Sequence, residues 1–153
     1  MELPPGFDPS ALDLSIDLDG NWRHQGVVVT HPRILAMLFT ALKKQDGKYL
    51  VCVENLRVPV KVADCPYVVL GVRHQDEGVL LLLTDGTHEL LDVASLTVDA
   101  DNVPRCAVKS GGAEARFSRT AWVQLAEAVR EDGQGGYLLE AAGEQHPLKI
   151  EQA

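Results

Sequence analysis

Between Leu12 and Asp19 apolar and polar positions alternate: Leu12, Leu14, Ile16 and Leu18 against Asp13, Ser15, Asp17 and Asp19. A period of two gives one buried and one wet face, which predicts a strand. Asp19-Gly20 supplies the turn chemistry that follows. Two short strands are expected over residues 22–24 and 27–30, around Gln25-Gly26. The period then lengthens. Ile34, Leu35, Leu38 and Leu42 recur at spacings of three and four, with Met37 and Phe39 widening the stripe, as in an amphipathic helix. Pro32 suits the first helical position, where its missing N–H would be unpaired anyway, and Thr30 or His31 stands before it. Lys43 and Lys44 are expected in the last turn, where the helix dipole favours cations, and Asp46-Gly47 is expected to end the helix. Strands follow over 49–54 and 56–62. A long hairpin region covers 67–73, 79–84 and 87–93, with turn signals at Glu77-Gly78 and Asp85-Gly86. Leu80 to Leu83 read as core strand rather than as an exposed patch. Residues 95–104 read as a connecting loop.

The last third repeats the first. Strands are expected over 105–109 and 113–117 around Gly111-Gly112, then Ser118 as helix N-cap and a helix over 121–130. Ala121, Trp122, Leu125, Ala128 and Val129 stand at one constant offset from Ile34, Leu35, Leu38, Ala41 and Leu42. Tyr137-Leu138-Leu139 answers Tyr49-Leu50-Val51, and a strand over 147–150 answers 59–62. The expected fold is α+β: two repeated helix-plus-antiparallel-sheet motifs with a β-hairpin region between them. Residues 1–10 form a flexible arm, 11–66 the first repeat, 67–104 the hairpin region and 105–153 the second repeat, together one compact unit. Each copy buries one face of its helix, so the copies are expected to cover each other.

Several short pieces resemble the bacterial domain-of-unknown-function 1285 family. They are Ile16, Asp19-Gly20-x-Trp22, Gly26, Pro32-Arg33, Leu38-Phe39, Asp46-Gly47-x-Tyr49-Leu50 and Val62-x-Asp64-x-Pro66-Tyr67. Glu114-Ala115-Arg116 followed by Arg119, and Gly143 to Leu148, continue the likeness, which runs from about Leu14 to Leu148. The resemblance implies an α+β fold of repeated helix-plus-sheet motifs. It implies no established activity, and suggests a ligand-binding or signalling role. The family tends to have Thr-Pro before a Glu-Lys pair after the first helix. Here the stretch is Cys52-Val53-Glu54-Asn55, so only Glu54 carries over.

Composition changes this picture in three places. With 46% hydrophobic residues in 153, the chain can bury a real core. A net charge of −8, without a cluster of basic and aromatic residues, disfavours nucleic acid and anionic membranes. Cys52, Cys65 and Cys106 include no Cys-x-x-Cys pair, so they read as reduced core thiols, and Cys65 before Pro66 could be a nucleophile only with a nearby base. With no long apolar run and no signal peptide in view, a cytoplasmic location is expected.

The sequence carries no recognisable catalytic or cofactor signature. A calcium loop built on Ser15, Asp17, Asp19 and Gly20 would need its closing Glu at Gly26. His24, His31, His74, His88 and His146 lack zinc-site spacing. Gly111-Gly112 and Gly133-Gln134-Gly135-Gly136 precede no Lys-Ser/Thr, so neither is a phosphate loop. No cofactor and no metal is expected. The candidate ligand-binding residues are Glu54, Glu114, Arg116 and Arg119. Glu114 and Arg116 share a strand face, and Arg119 opens the second helix, where backbone N–H groups favour an anion. Two guanidiniums there could hold a phosphate or carboxylate. The competing structural role is an ion-pair network in which Arg116 pairs Glu54 or Glu114. The functional expectation is a non-catalytic module that binds a small anionic ligand or a protein partner, in bacterial signalling or regulation. The alternative is a small enzyme using Glu54 or Glu114 as acid or base, with Arg116 or Arg119 positioning an anionic substrate. A third is a purely structural interaction domain.

Overall fold

The structure, a computed structural model, describes residues 12–151. The arm expected over 1–10 lies outside them. The chain divides into two compact units, Met1–Pro66 and Tyr67–Ala153.

In the first unit, β1 (Leu14–Ile16), β2 (Trp22–His24) and β3 (Val27–Val28) precede α1 (Pro32–Ala41). β4 (Leu42–Gln45), β5 (Lys48–Val53) and β6 (Leu56–Val62) follow. They form one six-stranded sheet in the order β3-β2-β1-β6-β5-β4. β6 links its two halves: Leu56 to Pro59 pair antiparallel with β5, and Val60 to Val62 pair parallel with β1. Leu14, Ile16, Trp22, Leu38, Val51 and Val60 form the centre of the core, and α1 packs on β5. Trp22 meets Phe39 edge-on at 5.7 Å.

The helix starts as expected but stops a turn early. His31 is the N-cap, its Nδ1 accepting from the N–H of Arg33, and Pro32 is the first helical residue. Leu42 is already extended and pairs with Val51, while Lys43 and Lys44 lie in β4 opposite Leu50 and Tyr49. Asp46 (φ 53°) and Gly47 (φ 78°) make a two-residue hairpin turn, not a helix cap. The apolar stripe could not distinguish the two outcomes: an inward Leu42 satisfies a helix at i+4 and a strand that opens inward equally well.

In the second unit, β7 (Tyr67–Gln75), β8 (Gly78–Leu83) and β9 (His88–Leu90) lead into a one-turn 3-10 helix at Val93–Ser95. β10 (Thr97–Val98), β11 (Pro104–Val108) and β12 (Ala113–Phe117) precede α2 (Arg119–Ala126). β13 (Val129–Glu131), β14 (Tyr137–Ala141), β15 (Glu144–Pro147) and β16 (Lys149–Ile150) close the chain. The main sheet runs β16-β10-β11-β12-β7-β8-β9, and β13-β14-β15 make a separate sheet. β12 pairs parallel with β7, and β10 parallel with β16. The fold is α+β, dominated by strands.

Ser118 caps α2 as expected, its Oγ accepting from the N–H of Ala121. The helix expected to reach residue 130 ends at Ala126, and Val129 to Glu131 pair with β14. The connection over 95–104 contains β10, too short for a periodicity to register. The leucine run divides: Leu81 and Leu83 are fully buried, each worth about 2 kcal/mol of burial, while Leu80 and Leu82 are half-buried on the opposite face.

Candidate functional site

The sequence candidates fall in both units. Glu54 is exposed in the β5–β6 turn of the first unit, in a left-handed backbone conformation (φ 54°). The other three belong to the second unit. Glu114 and Arg116 share the outer face of β12, Glu114 exposed opposite Ala107 and Arg116 half-buried opposite Arg105. Arg119 is exposed as the first residue of α2. None of these four residues is buried. Arg105, beside Arg116, is bound to the carboxylate of Asp99.

Another set of residues converges in the second unit. β7 pairs with β12 only at Tyr67, Val68 and Val69, and then bulges at Leu70. From there α2 takes over the exposed edge. The N–H of Ser118 donates to the carbonyl of Val69, and the side-chain carbonyl of Gln124 accepts from the N–H of Val72 at 2.7 Å. The ring Nε2–H of His74 donates to the backbone carbonyl of Gln124, also at 2.7 Å. A helix laid along a strand edge satisfies groups that would otherwise invite pairing with another chain.

Beside this splint lies a cleft of about 150 Å3. Gly71 stands opposite Leu82, Arg73 opposite Leu80 and His88 opposite Leu82, so all five share one face. Leu80 and Leu82 form the floor; Arg73, His88 and Gln124 form the rim. The bond from Val72 fixes the amide orientation of Gln124, and its NH2 has no partner among the described residues. Arg73 and His88 have none either. A guanidinium, an imidazole and an amide NH2 above an apolar floor can hold a carboxylate or phosphate that carries a short apolar portion. The volume suits only a small group, about five waters' worth. A larger, open cavity of about 400 Å3 lies between the β7–β8 and β14–β15 turns, lined by His74, Asp76, Val79 and Glu140 among others.

An unbroken run of four leucines does not say which pair faces the core, so the cleft was not legible in the sequence. What brings Arg73, His88 and Gln124 to the face of Leu80 and Leu82 is hairpin register and the lie of α2, and sequence spacing carries neither.

The perturbed carboxylates lie elsewhere, and all shift downward. Burial pushes Asp17 up, but the N–H groups of Asn21 and Asp19 and the Arg23 guanidinium outweigh it. The Arg105 guanidinium and the N–H groups of Val103 and Asp101 hold Asp99 down. The N–H groups of Gln134 and Gly136 lower Asp132. Burial raises Asp85, but the ammonium of Lys109 at 2.7 Å and Thr87 more than offset it. Lys109 also donates its N–H to the Glu89 carboxylate and sits 5.3 Å from the centre of the Tyr67 ring. It ties the β8–β9 turn to the β11–β12 turn. These are groups fixed in their charged form to hold turns. Among the described residues, no group of three or more His, Cys, Asp or Glu could hold a metal ion. No helix among them is long and apolar enough to cross a membrane.

No family model matches the sequence, and no curated protein matches it. Solved structures do. A DUF1285 family protein from Silicibacter pomeroyi is similar with a TM-score of 0.75 at 20% identity, covering 90% of this chain and 80% of that one. A DUF1285 family protein from Shewanella baltica is similar with a TM-score of 0.65 at 16% identity, covering 78% of this chain and 94% of that one. At such identities the likeness establishes the architecture: the chain has a DUF1285-like fold.

Proposed function

We propose that the chain is a binding module for a small anionic ligand, held in the cleft between Arg73, His88 and Gln124, in a regulatory or signalling role. The observation that carries this reading is the convergence of three unpartnered donor groups over the apolar floor of Leu80 and Leu82. A ligand there would tie β9 to α2, which is itself hung on the edge of β7 through Gln124. Binding would therefore stiffen that junction, a change a partner protein could read.

The test is a thermal-shift screen with inorganic phosphate, pyrophosphate, short-chain carboxylates and nucleotides. A ligand at about 100 times its dissociation constant stabilises by about 2.7 kcal/mol. The shift should disappear in Arg73→Ala and persist in Arg116→Ala and Arg119→Ala. Loss only in the last two would move the anion site to β12 and the start of α2. Turnover abolished by Glu114→Gln would favour the enzyme instead.

We infer, too, that the two units elaborate one repeated motif. Two loops support this. The carboxylate of Asp17 accepts from the N–H of residues 19 and 21 and from Arg23, and that of Asp99 from the N–H of residues 101 and 103 and from Arg105. In each unit the strand before such a loop pairs parallel with a late strand of the same unit, β6 or β16.

A further inference from the structure

On the first unit, one face of the β4–β5–β6 hairpins is basic. Leu42, Val51, Val53 and Val60 are buried, so alternation turns Lys43 and Gln45, Lys48, Leu50 and Cys52, and Arg57, Pro59 and Lys61 to the other side. The register agrees, setting Lys43 opposite Leu50, Leu50 opposite Pro59 and Cys52 opposite Arg57. Arg57 reaches across β5 to the side-chain oxygen of Gln45 at 3.2 Å. Lys43, Lys48 and Lys61 have no hydrogen-bond or ion-pair partner among the described residues. Of the nearby carboxylates, Asp46 and Glu54 sit in the hairpin turns, Asp64 follows β6, and Asp13, just ahead of β1, lies on the Lys61 side of the sheet by the Ser15–Lys61 register.

The charge of the whole chain is uneven in the same sense. Residues 1–66 hold seven Lys and Arg against eight Asp and Glu, and residues 67–153 hold seven against fourteen. Four of the first unit's seven cations stand on this face, with half-buried Leu50 and Cys52 and exposed Pro59 between them.

We propose that this face docks an acidic, extended segment of a partner protein. The choice follows from range. Charges act over a Debye length of about 8 Å at physiological salt. A short segment lying on the face meets chiefly the four cations, whereas a long polyanion or a lipid surface meets a chain of net charge −8. β6 has seven residues, a span of about 23 Å, which six or seven residues of extended peptide cover. Carboxylates meet Lys43, Lys48, Arg57 and Lys61, and the aliphatic parts of the peptide lie on Leu50 and Pro59.

The experiment titrates a fluorescein-labelled deca-glutamate peptide with the full chain and follows anisotropy at about 50 and about 500 mM NaCl. A single-stranded oligonucleotide and phosphatidylserine vesicles serve as rival probes. Saturable peptide binding at low salt, lost at high salt, is expected. Lys48→Glu combined with Lys61→Glu should weaken it about tenfold or more. Circular dichroism would verify that this variant stays folded. Arg73→Ala, which removes the anion cleft, should leave peptide binding unchanged, so the two sites fail separately. Equal binding by the charge-reversed protein, preference for the oligonucleotide or vesicles, or no binding at about 50 mM salt would each overturn the proposal.

Discussion

At the scale of single residues, the polar side chains that most shape this protein are the ones that fix turns. Asp17 and Asp99 each gather two backbone N–H groups and an arginine, and Asp132 gathers two backbone N–H groups. Each is held below the ordinary aspartate value of 3.8. The linkage sign follows directly. A group whose folded-state pKa is depressed lends stability that is fully present above the unfolded value, and lost as pH falls through it towards the folded value. Stability should therefore be level from about pH 5 upward as far as these groups are concerned, and decline below about pH 4. Urea unfolding at stepped pH would measure this. Asp17→Asn and Asp99→Asn should each flatten the acid limb, and an acid limb unchanged in both would mean that other carboxylates set it. The aspartates themselves stand out in the sequence as turn formers. That Asp17 would close on Arg23, six residues away and beyond a strand boundary, depends on three-dimensional reach.

At the scale of elements, sequence periodicity located most strands and both helix starts, because alternation and N-cap chemistry are local, and it missed β4, β10, β13 and β15. It misplaced both helix ends for one reason. Leu42 and Val129 satisfy a helical stripe, yet each enters a strand whose partner, β5 or β14, lies further along the chain. The candidate cleft escaped for the same reason, since α2 contributes Gln124 by lying along β7, some fifty residues earlier in sequence. Gly71 tests how that junction is used. Its backbone is not left-handed, and a Cβ there would sit 3.5 Å from the Gln124 side-chain oxygen, an ordinary contact. Gly71→Ala should change stability by no more than about 0.5 kcal/mol, while Gly71→Val narrows the cleft and weakens the anion. Chemical denaturation and ligand titration of the two variants would measure both effects. A large stability loss in Gly71→Ala would mean that α2 is packed too tightly on β7 to leave a usable cleft.

At the scale of the whole molecule, charge is the feature that sequence totals conceal. A net charge of −8 reads as uniformly acidic, yet the second unit carries fourteen acids to seven bases while the first is nearly balanced. Salt acts on this in two opposing ways. It screens the favourable pairs Arg23–Asp17, Arg105–Asp99 and Lys109–Asp85. It also relieves the self-repulsion of the acidic unit. Exposed pairs contribute little, and the least exposed carboxylate, Asp85, is the one that salt reaches least. Relief of repulsion should win. The melting temperature is expected to rise by a few degrees, on the order of 1 kcal/mol of stability, between about 10 and about 500 mM NaCl. Lys48→Glu combined with Lys61→Glu makes the chain four charges more negative than −8 and should steepen that rise. Scanning calorimetry across the salt series gives the slope directly. A melting temperature that falls with salt would mean that the turn-holding ion pairs outweigh the acidic field. The basic face of β4–β6 would then have to be judged against a molecule whose charges are already locally balanced.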